Sequence, residues 1–418
     1  MTPVRSTMET SAPVVVTGDG LTFRAEDGTV YLDAVSGTFN LPLGYNDPDV
    51  NAAVLRQVNT VSFLPSTFAN FYAKSFAAKL LSHAPAYLDR CRVRDLTGST
   101  ANECAIKIAQ KYTGRSTIIS LARAHHGQTL FMTAISGNSF RREGFPGATS
   151  AHVCQVPAPY CHRCAYEAKF PQCELLCVRA IPDHIRHGTN GSVAAIIIEP
   201  VLGNGGNIVP PPGYFSALRK LCDDNGILLI ADEVQTGIGR TGAMFASTAF
   251  DIRPDIITLA KGLGNGWPIG AVLMRSELDV LESSQHSFTS GGHLASLAAA
   301  SATLDVVSRT GFLDEVRRKG AVLGRLLASL KERHCCVGDV RGLGFMWGVE
   351  IVGPEGQPDV AKTAAIVRYA QERHHLILRA SQYGRGNVVK VRPALIATDD
   401  ELEEIVRRLS ATITDIDP

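Results

Sequence analysis

The chain has 418 residues, 45% of them hydrophobic and 19% charged, the make-up of a globular protein with room for a large domain and a smaller one. A formal net charge of +1 gives no electrostatic case for nucleic acid or a membrane surface as main partner. The run Val14, Val15, Val16 is too short for a signal-peptide core, and no apolar stretch approaches the roughly 20 residues of a membrane helix, so the expectation is a cytoplasmic protein.

Residues 14–35 are predicted to form short strands joined by turns at Asp19-Gly20 and Asp27-Gly28. From residue 50 to 300, apolar runs at 116–121, 193–198, 226–231, 256–259 and 269–274 alternate with helical patterns. The runs are too uniformly apolar for half-solvated strands. They predict parallel strands covered on both faces and joined by helical crossovers. Beyond residue 305 the pattern is helix, two strands around 336–351, helix, two strands around 376–391 and a closing helix, a small α+β domain. His125, Glu199, Asp232 and Lys261 each follow a buried strand, at the edge where open α/β sheets bind ligands. Four strand ends are thus expected to converge on one site.

Asp232 follows a wholly apolar run, where a carboxylate is costly unless something cationic meets it. It reads either as a loop cap or as the partner of a protonated ring nitrogen. Lys261 lies between an apolar strand and the glycines at 262, 264 and 266. It reads either as a snorkelling surface lysine or as a desolvated amine able to attack an aldehyde. Gly98 to Glu103 opens a helix, with Thr100 and Glu103 in capping-box spacing and Gly114 at the stop. The free N–H groups of such a start bind anions. Ala101, Cys104, Ala105, Ile108 and Tyr112 share its inner face. Thr289-Ser290-Gly291-Gly292 is a second anion candidate. His125 and His126 point opposite ways in extended chain, so one imidazole is free to stack on a flat ring. No dinucleotide or P-loop glycine pattern is present. Ten cysteines, mostly scattered, argue against a disulfide scaffold. Cys161, Cys164, Cys173 and Cys177 cluster beside His162; the first pair has zinc-like spacing and the second is wider, so no metal is assigned.

Together these pieces resemble the class III aminotransferases, fold-type I enzymes that use pyridoxal phosphate. The matches are Ile230 to Gly237 with Gly239-Arg240-Thr241-Gly242, Leu259 to Gly264, Gly98 to Glu103, Glu199-Pro200-Val201 and Pro211 to Phe215. The likeness runs from Tyr31-Leu32-Asp33 to the last helix. It implies a large domain at 51–305, with a mostly parallel seven-stranded sheet covered by helices. It also implies a smaller α+β domain made from segments 1–50 and 306–418. By position it implies that Lys261 holds the cofactor as an imine and shuttles the proton, and that Asp232 meets the ring nitrogen. Val234 and His125 would cover the ring faces, and Gln235 would bind its hydroxyl. Ser99 and Thr100 would bind phosphate, Thr289 would bind it from the neighbouring subunit of a homodimer, and Glu199 would stand near the substrate.

Three departures bear on activity. His125 stands where Tyr or Phe is usual, and imidazole stacks less extensively. The phosphate turn reads Thr-Ser-Gly-Gly-His rather than the common Thr-Phe-Gly-Gly-Asn. Lys390 stands where many members place the arginine that forks onto the substrate carboxylate, with Arg392 two residues on. Either Arg392 takes that role or the main substrate does without the clamp; Arg141, Arg142 and Arg385 are further carboxylate candidates. The expected reaction moves an amino group from an alanine- or glutamate-type donor to a ketone or aldehyde, one lacking an α-carboxylate and belonging to a natural-product pathway. The alternatives are a lyase on an amino-alcohol phosphate, an aminomutase or epimerase, or a non-catalytic relative.

Overall fold

The computed structural model describes residues 13–65 and 68–417. The strands, in chain order, are β1 (Val15–Asp19), β2 (Thr22–Ala25), β3 (Val30–Asp33), β4 (Arg90–Asp95), β5 (Thr117–Leu121), β6 (Val153–Val156), β7 (Val193–Ile198), β8 (Leu228–Asp232), β9 (Ile256–Leu259) and β10 (Gly270–Met274). They continue as β11 (Val337–Leu343), β12 (Met346–Ile351), β13 (Leu376–Ile377), β14 (Arg379–Ala380) and β15 (Val388–Val391).

The large sheet has seven strands in the order β4-β10-β9-β8-β7-β5-β6. Residues of β5, β7, β8, β9 and β10 are all buried, as strands covered on both faces must be. β9, β8, β7 and β5 pair in parallel, so their C-terminal tips form one row. β10 corrects the expectation of five parallel strands: it runs antiparallel to both β9 and β4. An apolar run records burial, not direction. β4 and β6 were not among the expected strands. β4 reads Arg-Cys-Arg-Val-Arg-Asp and lies at a sheet edge, where charged side chains find solvent or ionic partners.

Helix Gly98–Thr113 packs Ala101, Cys104, Ala105 and Ile108 against the sheet and stops at Gly114, whose φ of 66° suits glycine. Tyr112, expected on the same face, is 44% exposed in the last turn. A second sheet, β1-β2-β3-β13, sews the N-terminal segment to the C-terminal part through the parallel β3–β13 pair. A third, β11-β12-β15-β14, packs on helices Phe312–Ala328, Val360–His374 and Asp399–Ile416, sharing a core of Val349, Val389, Leu323, Ile366 and Leu409. No helix among the described residues is long and apolar enough to cross a membrane.

Candidate active site

The row of strand tips opens on a cavity of about 420 Å³. Ser99, His125, Asp232, Val234, Gln235, Lys261 and Lys390 line it. Thr100, Glu199, Thr289, Arg392 and Arg142 do not.

Asp232 ends β8 and is 3% exposed. Its Oδ2 accepts from Asn102 Nδ2 and from His126 Nδ1, each at 2.8 Å, and its Oδ1 accepts from Val234 N at 3.0 Å. Asn102 is itself fixed: its Oδ1 accepts from Thr258 Oγ1 at 2.6 Å, and its Nδ2 also donates to His126 O at 2.7 Å. The carboxylate is thus aimed, yet it meets no Lys or Arg among the described residues, so a cation arriving in the cavity would complete it.

Lys261 follows β9 with φ at 42°, a left-handed conformation that costs a lysine roughly 1–3 kcal/mol. Strain of this kind persists only where the surroundings hold it. Burial pushes the amine below its usual range, while Asp232 and then Glu199 pull it back. The amine is therefore more available in its neutral, nucleophilic form than on a surface lysine.

The helix start leaves backbone donors free. Gly98 N and Ser99 N find no acceptor among the described residues, and both residues line the cavity. The helix start has no spare room: a Cβ on Gly98 would stand 2.7 Å from Val234 Cγ1, and one on Gly127 would stand 2.7 Å from Ser99 Oγ. The capping box differs from the expectation. Thr97 is the last extended residue, so the box is Thr97 with Thr100: Thr100 N donates to Thr97 Oγ1 at 3.2 Å. In return Thr97 N donates to Thr100 Oγ1 at 3.3 Å, and Glu103 accepts from Thr129 Oγ1 at 2.6 Å.

His125 stands at the other side of the cavity, edge-on to Tyr383, with its Nε2 3.3 Å from the Tyr383 hydroxyl. Burial, then Arg141, pushes its pKa down to about 2, so the ring is neutral. Glu199 lies behind it. Glu199 Oε1 accepts from His125 N at 2.8 Å and Oε2 from Gly203 N at 2.9 Å, a bracket that fixes the loops bearing both. Burial raises the Glu199 carboxyl.

Lys390 on β15 and Arg392, the residue just past its end, have separate jobs. Arg392 Nη1 donates to Gln235 Oε1 at 2.5 Å, its Nη2 donates to Gly203 O at 2.7 Å, and its guanidinium lies 4.1 Å from the Phe39 ring centre. It orients Gln235 and is not free to take a substrate carboxylate. Lys390 is 5% exposed and forms no hydrogen bond or ion pair with the described residues. Burial, then Arg392 and Arg379, holds its amine well below the usual range. Arg379 pairs in register with Lys390 across β14 and β15 and also lines the cavity.

The remaining candidates lie elsewhere. Arg142 donates to the carbonyls of Ala134 and Ser136, each at 3.4 Å. Arg385 pairs with Glu143 at 3.4 Å, and Arg141 lies 3.7 Å over the Tyr383 ring. Thr289 lines a different cavity, of about 470 Å³, with Arg92, His286, Gly291 and Gly292. Sequence reasoning missed Asn102, Arg379 and Tyr383, and gave His126 no role of its own. Asn102 had a signal, a polar residue on the inner face of a helix otherwise lined by Ala, Cys and Ile.

Sheet order and cavity together define a pyridoxal-phosphate-dependent transferase of fold type I. The chain belongs to the class III aminotransferases: the family described as "Aminotransferase class-III" matches residues 5–413. An acetylornithine aminotransferase of Bacillus subtilis is 35% identical over 392 residues, 93% of this chain and 91% of the relative. A leucine/methionine racemase of Thermococcus litoralis is 32% identical over 395 residues, 93% and 87% of the two chains. Among solved structures, a PLP-bound amine transaminase from an uncultivated Pseudomonas species superposes with a TM-score of 0.91 at 31% identity, covering 100% of this chain and 99% of that one.

Proposed function

We propose that this enzyme moves an amino group from an alanine- or glutamate-type donor to a ketone or aldehyde, working as a homodimer with shared sites. One observation carries the reading: the strained, desolvated Lys261 and the aimed, cation-lacking Asp232 line one cavity. When bound, pyridoxal phosphate supplies an electron sink, a protonated ring able to take the electron pair left as a proton departs the amine-bearing carbon. Asp232, braced by Asn102 and His126, keeps the ring nitrogen protonated. Gly98 N, Ser99 N and the Ser99 hydroxyl hold the phosphate, Val234 and His125 cover the ring faces, and Gln235 turns its amide to the ring hydroxyl. Lys261 Nζ holds the cofactor and then carries the proton. Lys390 and Arg379 take the donor carboxylate as two point-like charges rather than one bidentate fork, so an acceptor without a carboxylate is also admitted.

The racemase relative and the second buried lysine in the cavity favour one alternative, epimerisation at the same carbon. Incubation with L-alanine and no acceptor separates the two. An aminotransferase forms pyruvate and accumulates aminated cofactor with loss of the imine absorption band, whereas a racemase forms D-alanine and leaves the spectrum unchanged. The expected result is the first. Lys261→Ala abolishes either; spectral change persisting in that variant would sink the assignment of Lys261.

A further inference from the structure

Four cysteines remain outside this chemistry. Cys161 and Cys164 flank a short turn, and Cys173 and Cys177 flank the start of helix Leu176–Arg179. The spacings are two and three intervening residues; the second is wider than in a zinc ribbon but still within the two to four residues that separate structural zinc cysteines. The fold brings all four to the wall of a single cavity of about 20 Å³, whose other walls include Ala158, Pro159, Phe170 and Pro211. That is room for one ion or one water and little else. None of the lining residues is a carboxylate, Lys or Arg, and the one phenol, Tyr160, gives its hydroxyl to Glu350, so the donors left free among the lining side chains are sulfurs.

We propose that Cys161, Cys164, Cys173 and Cys177 form a tetrathiolate site for one zinc ion. No three of the sulfurs stand within 4.8 Å of one another, so the ion draws them in. A change of χ1 moves a sulfur by ~3 Å, and the bound ion would hold each sulfur at a Zn–S distance of about 2.3 Å. Each ligating thiol gives its proton to solvent, four per ion, and nothing is oxidised or reduced. Two tighter groupings, Asp95–Cys104–His286 and His162–Asp339–Glu350, are less suited: Lys107 adjoins the first, and Arg163 and Arg341 already satisfy Glu350 in the second.

The loop's position gives the ion a purpose. Its Tyr160 hydroxyl and Arg163 Nε both donate to Glu350, buried on β12; Arg163 does so at 2.5 Å, and Arg341 joins them at 2.7 Å. β12 pairs with β15, which carries Lys390. A loop closed on zinc therefore staples the large sheet's flank to the sheet that presents Lys390 to the active site.

The test is elemental analysis of full-length, cofactor-loaded enzyme purified under reducing conditions, without chelator, from zinc-supplemented cells. We expect about one zinc per chain, replaceable by cobalt with a thiolate-to-cobalt charge-transfer band. Cys164→Ser and Cys173→Ser should each lose the metal, while Cys91→Ser, outside the cluster, keeps it. Wild-type enzyme with zinc no higher than a cysteine-free control and no cobalt band, zinc retained in both cluster variants, or these four thiols found paired as disulfides would each overturn the proposal. The wild-type measurements decide even if a variant does not fold.

Discussion

Lys390 shows what a functional charge costs at the scale of one residue. It is buried without an ionic partner, which a side chain selected for stability alone would not be. Replacing it with Met should stabilise the enzyme at neutral pH by roughly 1–3 kcal/mol, read as a raised melting temperature. The sign of the pH dependence follows. The folded state holds the Lys390 amine below 10.5, so between the folded value and 10.5 the unfolded chain binds more protons, and wild-type stability from this group rises with pH. The advantage of Lys390→Met should therefore be greatest below the folded value and shrink toward pH 10.5. The same variant should lose about 10- to 100-fold in kcat/KM for a carboxylate-bearing donor and far less for a simple amine donor. Equal losses for both donors would remove Lys390 from carboxylate binding. Asp232 and Lys261 were legible in the sequence because each breaks an apolar run. The brace on Asp232 was not: Asn102, His126 and Thr258 come from three distant segments, and their meeting is a product of strand order.

At the scale of the element, the start of helix Gly98–Thr113 is both capped and set at the cavity wall. Its C-terminal glycine was readable as a stop. The cap was misplaced by three residues because Thr97 and Thr100 both fit the pattern, and only the extended backbone at Thr97, φ −146° and ψ 163°, distinguishes them. The two end glycines separate packing from strain. Gly98→Ala drives a methyl into Val234, displacing the side chain proposed to cover the ring, and should weaken cofactor retention by about tenfold or more with the fold intact. Gly114→Ala meets no atom within 4 Å and suffers only from its φ of 66°, so it should cost about 1 kcal/mol of stability and leave cofactor affinity unchanged. Equilibrium dialysis of cofactor and thermal melts on both variants check the pair. Among the strands, β5, β7, β8 and β9 were legible from burial on both faces, whereas β4 and β6, at the two sheet edges, lack that signature.

At the scale of the whole molecule, the displacement of Thr289 is informative. The family resemblance assigns it to the cofactor phosphate, yet in this chain it lines a cavity apart from Lys261. The two facts agree if Thr289 serves the partner's site in a two-fold dimer, where each surface patch meets its own counterpart. Mixing then distinguishes a shared site from a self-contained one. Lys261→Ala removes the amine from its own cavity. Thr289→Glu sets a carboxylate against the phosphate in its partner's cavity. In a dimer of one chain of each kind, one site inherits both defects and the other inherits neither. If the two inactive parents are unfolded together in equal amounts and refolded, half the dimers should be mixed, and activity should return to about one quarter of wild type. If Thr289 acts within its own chain, or not at all on the phosphate, no intact site is created, and the mixture should stay at the average of its parents.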